Sequence, residues 1–416
     1  MMIIVLLNLD YIVNLTDFVE GGKEVNMNLQ GKEPAYKGRY DVIVAGGGIA
    51  GVAAAVSAAR NGAKTLLMEK GVNLGGLATM GLISLYEPLC DGKGNQMIYG
   101  IAEELIKLSV CYGFDNLHPK WGGTGHNKPK NDRYTTRFSP GVFSIALDDF
   151  MIKNGVNILF DTLVTYPVME GNKCIGVVVE NVNGREYYEA GAVVDATGNA
   201  TVMHRAGVPT VNGQNFMSYL VHSYDINDVE KLSEDKDANA FRKWIGIGAN
   251  WAGQGHPEGV KIFKECTAEE LTEYMVIGKQ KFFEKIKTMG KDNFDIMSVP
   301  NMPQFRTIRR IVGKVDFNAV DGETFEDAIG WCGDFRPQGI GKQYQVPFGA
   351  LYHEDFENLV AAGRIISAPQ GDGWEVSRVI PVCALTGEAA GKAAALASLK
   401  RLSMEQIRMD RLLELK

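Results

Sequence analysis

The chain has 416 residues, 45% hydrophobic and 22% charged, and a net charge of -7 at pH 7. Its length exceeds one ordinary core and predicts two domains, and its acidic balance gives no reason to expect nucleic acid or an anionic membrane as partner. The 6 Cys and 6 His form no Cys-x-x-Cys pair and no metal-ligand spacing, which argues against a zinc ribbon, an iron–sulfur cluster or a redox-active disulfide and suits a cytoplasmic protein.

Residues 1–37 read as a poorly ordered leader. Met1 to Leu9 is apolar, but Asp10 interrupts it and no basic residue precedes it, so it makes a poor signal peptide, and Met27 is a second possible start. Val42 to Ala59 is uncharged and long enough to resemble a membrane span. Gly46, Gly47, Gly48 and Gly51 in its middle predict a buried strand, a tight turn and a helix instead. Gly46 permits the turn, Gly48 lets the backbone approach a pyrophosphate, and Gly51 lets helix and strand pack closely. The helix start, at Ile49 and Ala50, offers free N–H groups to phosphate. Lys64 to Met68 is the next strand, and Glu69 at its end lies 21 positions after Gly48, where a carboxylate accepts ribose hydroxyls. The fingerprint marks a dinucleotide site without separating FAD from NAD, and a Gly-rich turn in an α/β core is the plainer alternative. Val142 to Asn154 follows as a helix and Gly155 to Phe160 as a third parallel strand. Asp161 to Glu170, Lys173 to Glu180 and Arg185 to Glu189 read as an antiparallel meander, and a last helix starts near Pro381.

Five further segments carry a resemblance. They are Asn73-Leu74-Gly75-Gly76-Leu77-Ala78-Thr79, Ala192-Val193-Val194-Asp195-Ala196-Thr197-Gly198, the run from Phe305 through Arg309-Arg310-Ile311-Val312-Gly313, Asn358 to Gly363-Arg364, and Ser377 to Cys383. In this order they resemble the FAD-dependent oxidoreductases with a glutathione-reductase-type FAD domain, nearest the bacterial branch with Leu-Gly-Gly-x-Ala-Thr, Asp-Ala-Thr-Gly and Gly-Arg boxes. The resemblance runs from about Tyr40 to Leu396. It implies FAD, and non-covalent FAD since no His lies near Gly75 and Gly76. It places Gly75 and Gly76 by the ribityl–pyrophosphate stem, Ala78 and Thr79 beside the isoalloxazine, and Val164 against the adenine. Lys70 joins Glu69 in the cofactor set, Ala196, Thr197 and Gly198 return the chain beneath the phosphates, and Val382 starts the helix aimed at the flavin. Gly363-Arg364 stands where many relatives have Gly-Asp or Gly-Glu, so Arg364 is expected on phosphate. Asn199 replaces the branch's usual Asp.

The fold class expected is α/β: a Rossmann-like FAD/NAD(P)-binding domain, its parallel sheet carrying a β-meander crossover, plus an inserted α+β substrate domain. The first comprises 38–81, 140–208 and 346–416, and the second 82–139 and 209–345. The second holds three aromatic, Gly-rich loops, Trp121 to His126, Trp251 to His256 and Trp331 to Arg336, most of whose rings are expected to pack. Residues 226–243 read as a solvated helix or loop. The function implied is hydride transfer between a small polar metabolite and flavin N5; the alternative is a flavoprotein subunit of an electron-transfer complex, or FAD used structurally. For an anionic or hydroxylated substrate the candidates are Arg306, Arg309, Arg310 and Arg378. On a strand Arg306 and Arg310 would share one face; alternatively these arginines pair with acids such as Asp316 or Glu326, and Arg378 is either a site residue or part of an ion pair. His204 and His256 are the candidates for proton transfer, each with a structural alternative. Gly387 and Gly391 are expected to pack the last helix against the sheet.

Overall fold

A computed structural model describes residues 33–123, 133–235, 242–250, 253–289 and 294–410. Strand β1 (Ala35–Ala45) begins exposed and ends fully buried at Val42 to Ala45, as a central parallel strand must when it enters the core. Helix α1 (Ile49–Arg60) follows the glycine turn, and β2 (Thr65–Met68) returns parallel to β1, with Ala45 opposite Met68. The uncharged stretch is therefore strand, turn and helix, and among the described residues no helix is long and apolar enough to cross a membrane. Short β3 (Leu85–Tyr86), α2 (Ile101–Ser109), β4 (Thr136–Arg137) and α3 (Pro140–Lys153) lead to β5 (Asn157–Leu159), which lies parallel beside β2.

The meander is β6 (Leu163–Glu170), β7 (Lys173–Asn181) and β8 (Gly184–Asp195). The sequence divides the last of these into Arg185 to Glu189 and a separate strand at Ala192, but the structure makes one strand of 12 residues. The reason is Gly191, which makes no turn: a Cβ there would fall 2.0 Å from Ser398 Oγ, so the glycine serves close packing. The first half of β8 pairs with β7, and its second half lies between β1 and β16 (Leu359–Ala361). The sheet order is β5-β2-β1-β8-β7-β6, with β16 joined to β8. Asn358 stitches it, accepting the Cys174 N–H at 2.8 Å and donating to the carbonyls of Cys174 and Gly191.

After α4 (Thr201–Arg205) and β9 (Thr210–Asn212) the chain builds a smaller antiparallel sheet. Its strands are β10 (Ser218–Asp225), β11 (Lys243–Gly248) and β12 (Phe294–Ser298), in order β11-β10-β12, with α5 (Ile226–Asp235) and α6 (Ala268–Met289) between them in sequence. Separate apolar clusters form here, one of Met217, Phe263, Tyr274 and Phe305, another of Tyr219, Val221 and Phe282. β13 (Arg309–Ile311) pairs with β9, and β14 (Ala328–Gly333) with β15 (Gln343–Pro347). Trp331 thus belongs to a strand, not the expected loop, and Trp121 stacks on Tyr134 with ring centroids 4.3 Å apart. The leader up to residue 32, residues 124–126 of the first loop, Trp251, Ala252, Lys236 and Asp237 lie outside the described residues.

Residues 82–139, expected over the flavin with the second domain, instead bury Tyr86, Leu89, Leu105 and Phe138 in the core of the parallel sheet. The tie is Glu388, whose carboxylate accepts the N–H of Ile101 at the start of α2. Glu388 sits on α8 (Ile380–Lys400), which lies between α7 (Asp372–Ser377) and α9 (Met404–Met409) in the chain. Gly387 and Gly391 do serve close packing, but against α1 and not the sheet: their Cβ atoms would fall 2.2 Å from Ala50 O and 2.0 Å from Ala54 O.

Candidate functional site

The turn after β1 is built by removing side chains. Gly46 has φ +103, and a Cβ there would lie 2.5 Å from Ala196 O. At Gly51 a Cβ would lie 1.9 Å from Gly46 O, so only glycine lets α1 begin this close to its strand. Gly48 differs, since a Cβ would meet nothing within 4 Å. It is the N-cap of α1, and no side chain caps the helix. Space is therefore open beside Gly48, at the positive end of the α1 dipole.

A second glycine loop lies on the first. Gly75, at φ +99, donates its N–H to Gly47 O at 2.8 Å, and a Cβ on Gly76 would come within 3.2 Å of Gly48 Cα. Ala78 and Thr79 are buried behind it, Thr79 Oγ1 donating to Leu74 O at 2.5 Å. Glu69 accepts the Gly47 N–H at 2.6 Å and the Gly71 N–H at 2.8 Å, one on each oxygen. Its carboxylate is thereby fixed with lone pairs to spare. Gly46, Glu69, Lys70, Val164, Thr197 and Asn199 line one cleft. The turn at Ala196-Thr197-Gly198 is shaped by buried Asp195, which accepts the Thr197 N–H and hydroxyl and the Met203 N–H. Burial pushes that carboxyl above the usual range, against these hydrogen bonds.

Arg364 joins this cleft to a second one. Its Nε donates to Gly198 O at 2.7 Å and its Nη1 to Phe305 O at 2.6 Å, and desolvation lowers its pKa to about 10. It is a strut between the turn at Gly198 and the residue before Arg306. Gly363 beside it donates its N–H to Thr386 Oγ1 on α8, where Val382 is buried in the first turn.

The arginines then separate. Arg306 precedes β13, so it shares no strand face with Arg310. Arg310 Nη1 reaches the Ile311 carbonyl at 3.1 Å, Ser367 Oγ at 3.3 Å and Asp316 at 3.5 Å, the architectural pairing foreseen as the alternative. Arg309 donates to Asn212 at 3.3 Å. Arg378 pairs with Glu375 at 2.6 Å and lies 4.8 Å from the Trp374 ring centroid. Arg306 lines a pocket together with Gln214, Phe216, Arg336, Gln370 and Trp374. Burial, and then Arg378, pull its pKa down. Arg336 in the same wall is committed, forked onto Asp334 at 2.9 and 2.7 Å and bonded to Asp372 at 2.5 Å.

Neither histidine expected to move protons stands at this pocket. His204 is exposed with Nδ1 3.0 Å from Thr210 Oγ1, and His256 accepts the Met217 N–H while its other nitrogen lies 2.8 Å from Val260 O. Glu87 is the residue that the sequence did not single out. It follows β3, half-buried, with an oxygen 3.4 Å from the N–H of Ile380 at the start of α8. Burial raises its pKa to about 7, partly opposed by hydrogen bonds and Arg378. Its only sequence signal is a lone acid in the apolar run from Leu82 to Leu89. Among the described residues no group of His, Cys, Asp and Glu could hold a metal ion.

The family model described as FAD dependent oxidoreductase matches residues 41–245 and 248–415. A glutathione reductase of Yarrowia lipolytica is 33% identical over 170 residues, which span 38% of this chain and 32% of that enzyme, so the chain covers about a third of its relative. Among solved structures, p-nitrophenol 4-monooxygenase from Pseudomonas putida DLL-E4 is 12% identical, with a TM-score of 0.49 over 90% of this chain and 85% of that one. A geranylgeranyl bacteriochlorophyll reductase-like protein from Thermoplasma acidophilum is 14% identical, with a TM-score of 0.46 over 91% and 83%.

Proposed function

The chain belongs to the FAD dependent oxidoreductase family, and from that premise we propose that it exchanges a hydride between a small polar metabolite and N5 of a non-covalently held flavin. FAD, when bound, supplies the two-electron chemistry, and the protein supplies grip, orientation and proton transfer.

The uncapped start of α1 and the open approach at Gly48 support this reading of the cleft. Gly46, Gly48 and the N–H groups of Ile49, Ala50 and Gly51 would hold the pyrophosphate, with Gly75, Gly76, Ala196, Thr197 and Gly198 beside it. Glu69 would take the ribose hydroxyls, with Lys70 at the rim and Val164 against the adenine. Ala78, Thr79, Gly363, Arg364 and Val382 would border the flavin end.

The observation that carries the reading is the Arg364 strut. One guanidinium spans Gly198 O and Phe305 O, so the cofactor turn and the Arg306 pocket stand within a side chain of each other. In that pocket Arg306 would orient the substrate. Glu87, whose carboxylate stands 3.4 Å from the N–H at the start of α8 and whose pKa burial raises to about 7, would exchange the proton that accompanies the hydride.

Purified protein is expected to be yellow and to release intact FAD on acid precipitation. An anaerobic screen of metabolites should then bleach its visible band without any partner protein. FAD that stays with the precipitate would refute non-covalent binding. Bleaching that requires a second protein would instead support an electron-transfer subunit.

A further inference from the structure

The pocket beside Arg364 draws its wall from four distant stretches, and its hydrogen-bonding groups divide into committed and uncommitted ones. Two of the charged groups are spent. Arg336 is held by Asp334 and Asp372, and Glu375 by Arg378. Asn215 is spent as well, its side chain accepting the N–H groups of Arg306 and Thr307. Arg306 is different. Its guanidinium is half-buried and, among the described residues, donates only to the Ala249 carbonyl, at 3.2 Å, with no carboxylate paired to it. Trp374 lines the same pocket, is 5% exposed, and its buried indole N–H has no partner among the described residues. The side-chain amides of Gln214 and Gln370 also line it without a hydrogen bond among the described residues.

A desolvated cation without a counter-ion and an orphaned N–H are each costly to leave unsatisfied, and an oxyanion answers both. We infer that this pocket binds a small monocarboxylate, its carboxylate held by the Arg306 guanidinium and the Trp374 indole N–H, its uncharged oxygen groups by Gln214 and Gln370. The inference rests on the pocket being the substrate site and narrows the substrate to hydroxy- or oxo-monocarboxylates. A second negative charge is disfavoured, since the remaining arginines are already neutralised and Asp372 and Glu375 stand in the wall. A cation would meet Arg306.

The test uses the oxidised, FAD-loaded protein and reads binding alone, through perturbation of the flavin's visible band and of tryptophan fluorescence. The probes are a panel of short 2-hydroxy and 2-oxo monocarboxylates, the matching neutral amides, malate and glycerol 3-phosphate. At least one monocarboxylate should bind saturably, and its amide about tenfold or more weakly. Arg306→Gln should weaken that monocarboxylate about tenfold, Arg306→Lys less, and Trp374→Phe by a few-fold, with flavin content unchanged. The wild-type acid-against-amide comparison stands even if a variant fails to fold. The inference is overturned if no monocarboxylate binds, if amide and acid bind alike, if malate or glycerol 3-phosphate binds more tightly, or if a folded Arg306→Gln binds normally. Arg306-dependent binding with no anaerobic flavin reduction by any ligand would uphold the carboxylate site and defeat its role in hydride transfer. Reduction by a neutral compound, untouched by Arg306→Gln, would uphold the redox role and defeat the carboxylate site.

Discussion

The cofactor cleft and the Arg306 pocket sit at opposite ends of one strut and are made in opposite ways. The cleft is backbone: glycines stand where any Cβ would strike a carbonyl or fill the phosphate approach, and N–H groups are left at an uncapped helix start. The pocket is side chain, with guanidinium, indole and amide groups brought from residues 214–216, 306 and 370–375. At the glycines of the cleft a substitution does harm by adding atoms; in the pocket it does harm by removing charge. Steric and electrostatic failure should therefore separate cleanly between the two regions.

The largest effect expected is Gly51→Ala. Its methyl would sit 1.9 Å from Gly46 O, so strand and helix must part, at a cost of about 4 kcal/mol or more in stability together with loss of FAD. Gly48→Ala sharpens the contrast, since its methyl meets no protein atom: urea unfolding of the FAD-free protein should be unchanged while FAD dissociates at least about tenfold more readily. Equal damage from both substitutions would break the distinction. Glu69→Ala should weaken FAD binding by about 2–4 kcal/mol, measured by titration of FAD-free protein, because charge-assisted bonds to ribose are lost and the Gly47 N–H is left without its acceptor.

Glu87, beside the start of α8, offers a smaller, pH-dependent test. Its folded pKa, about 7, stands above the unfolded carboxyl value, so its neutral form favours the fold. That contribution is complete below the unfolded pKa and is lost as pH rises through about 7. Discounted for partial exposure, about 1–2 kcal/mol of stability should disappear between about pH 5 and pH 8 in urea melts, and Glu87→Gln should lack that decline. The smallest effect is expected at Arg310. Arg310→Lys gives up the contacts to Ser367 and the Ile311 carbonyl and should cost about 1 kcal/mol in stability, while substrate-driven flavin reduction keeps its normal rate. Slowed reduction at full stability would return Arg310 to the site.

The cleft was legible in the sequence for a physical reason. Gly46, Gly48, Gly51 and Glu69 fall on one strand–turn–helix–strand unit, where spacing along the chain fixes spacing in space. The sheet order was harder, because Gly191 resembles a break in β8 and is in fact a contact for α8. The pocket was not legible. Arg306 and Trp374 are far apart in sequence, and nothing local tells Arg306, which faces a cavity, from Arg310, which faces Asp316 and Ser367. Glu87 lay hidden because its unusual pKa arises from burial near the start of α8, a helix encoded almost three hundred positions later.

The pairing of α1 with α8 bears on the order of events at the ribosome. α1 ends at Arg60, and the helix that covers it starts at Ile380. Ala50 and Ala54 meet Gly387 and Gly391 only once that later stretch has been translated. Until then the nascent nucleotide unit carries an uncovered alanine face and a sheet lacking β16, the kind of exposed apolar surface and open strand edge that invites aggregation. Holdase chaperones would find their target there until α8 arrives.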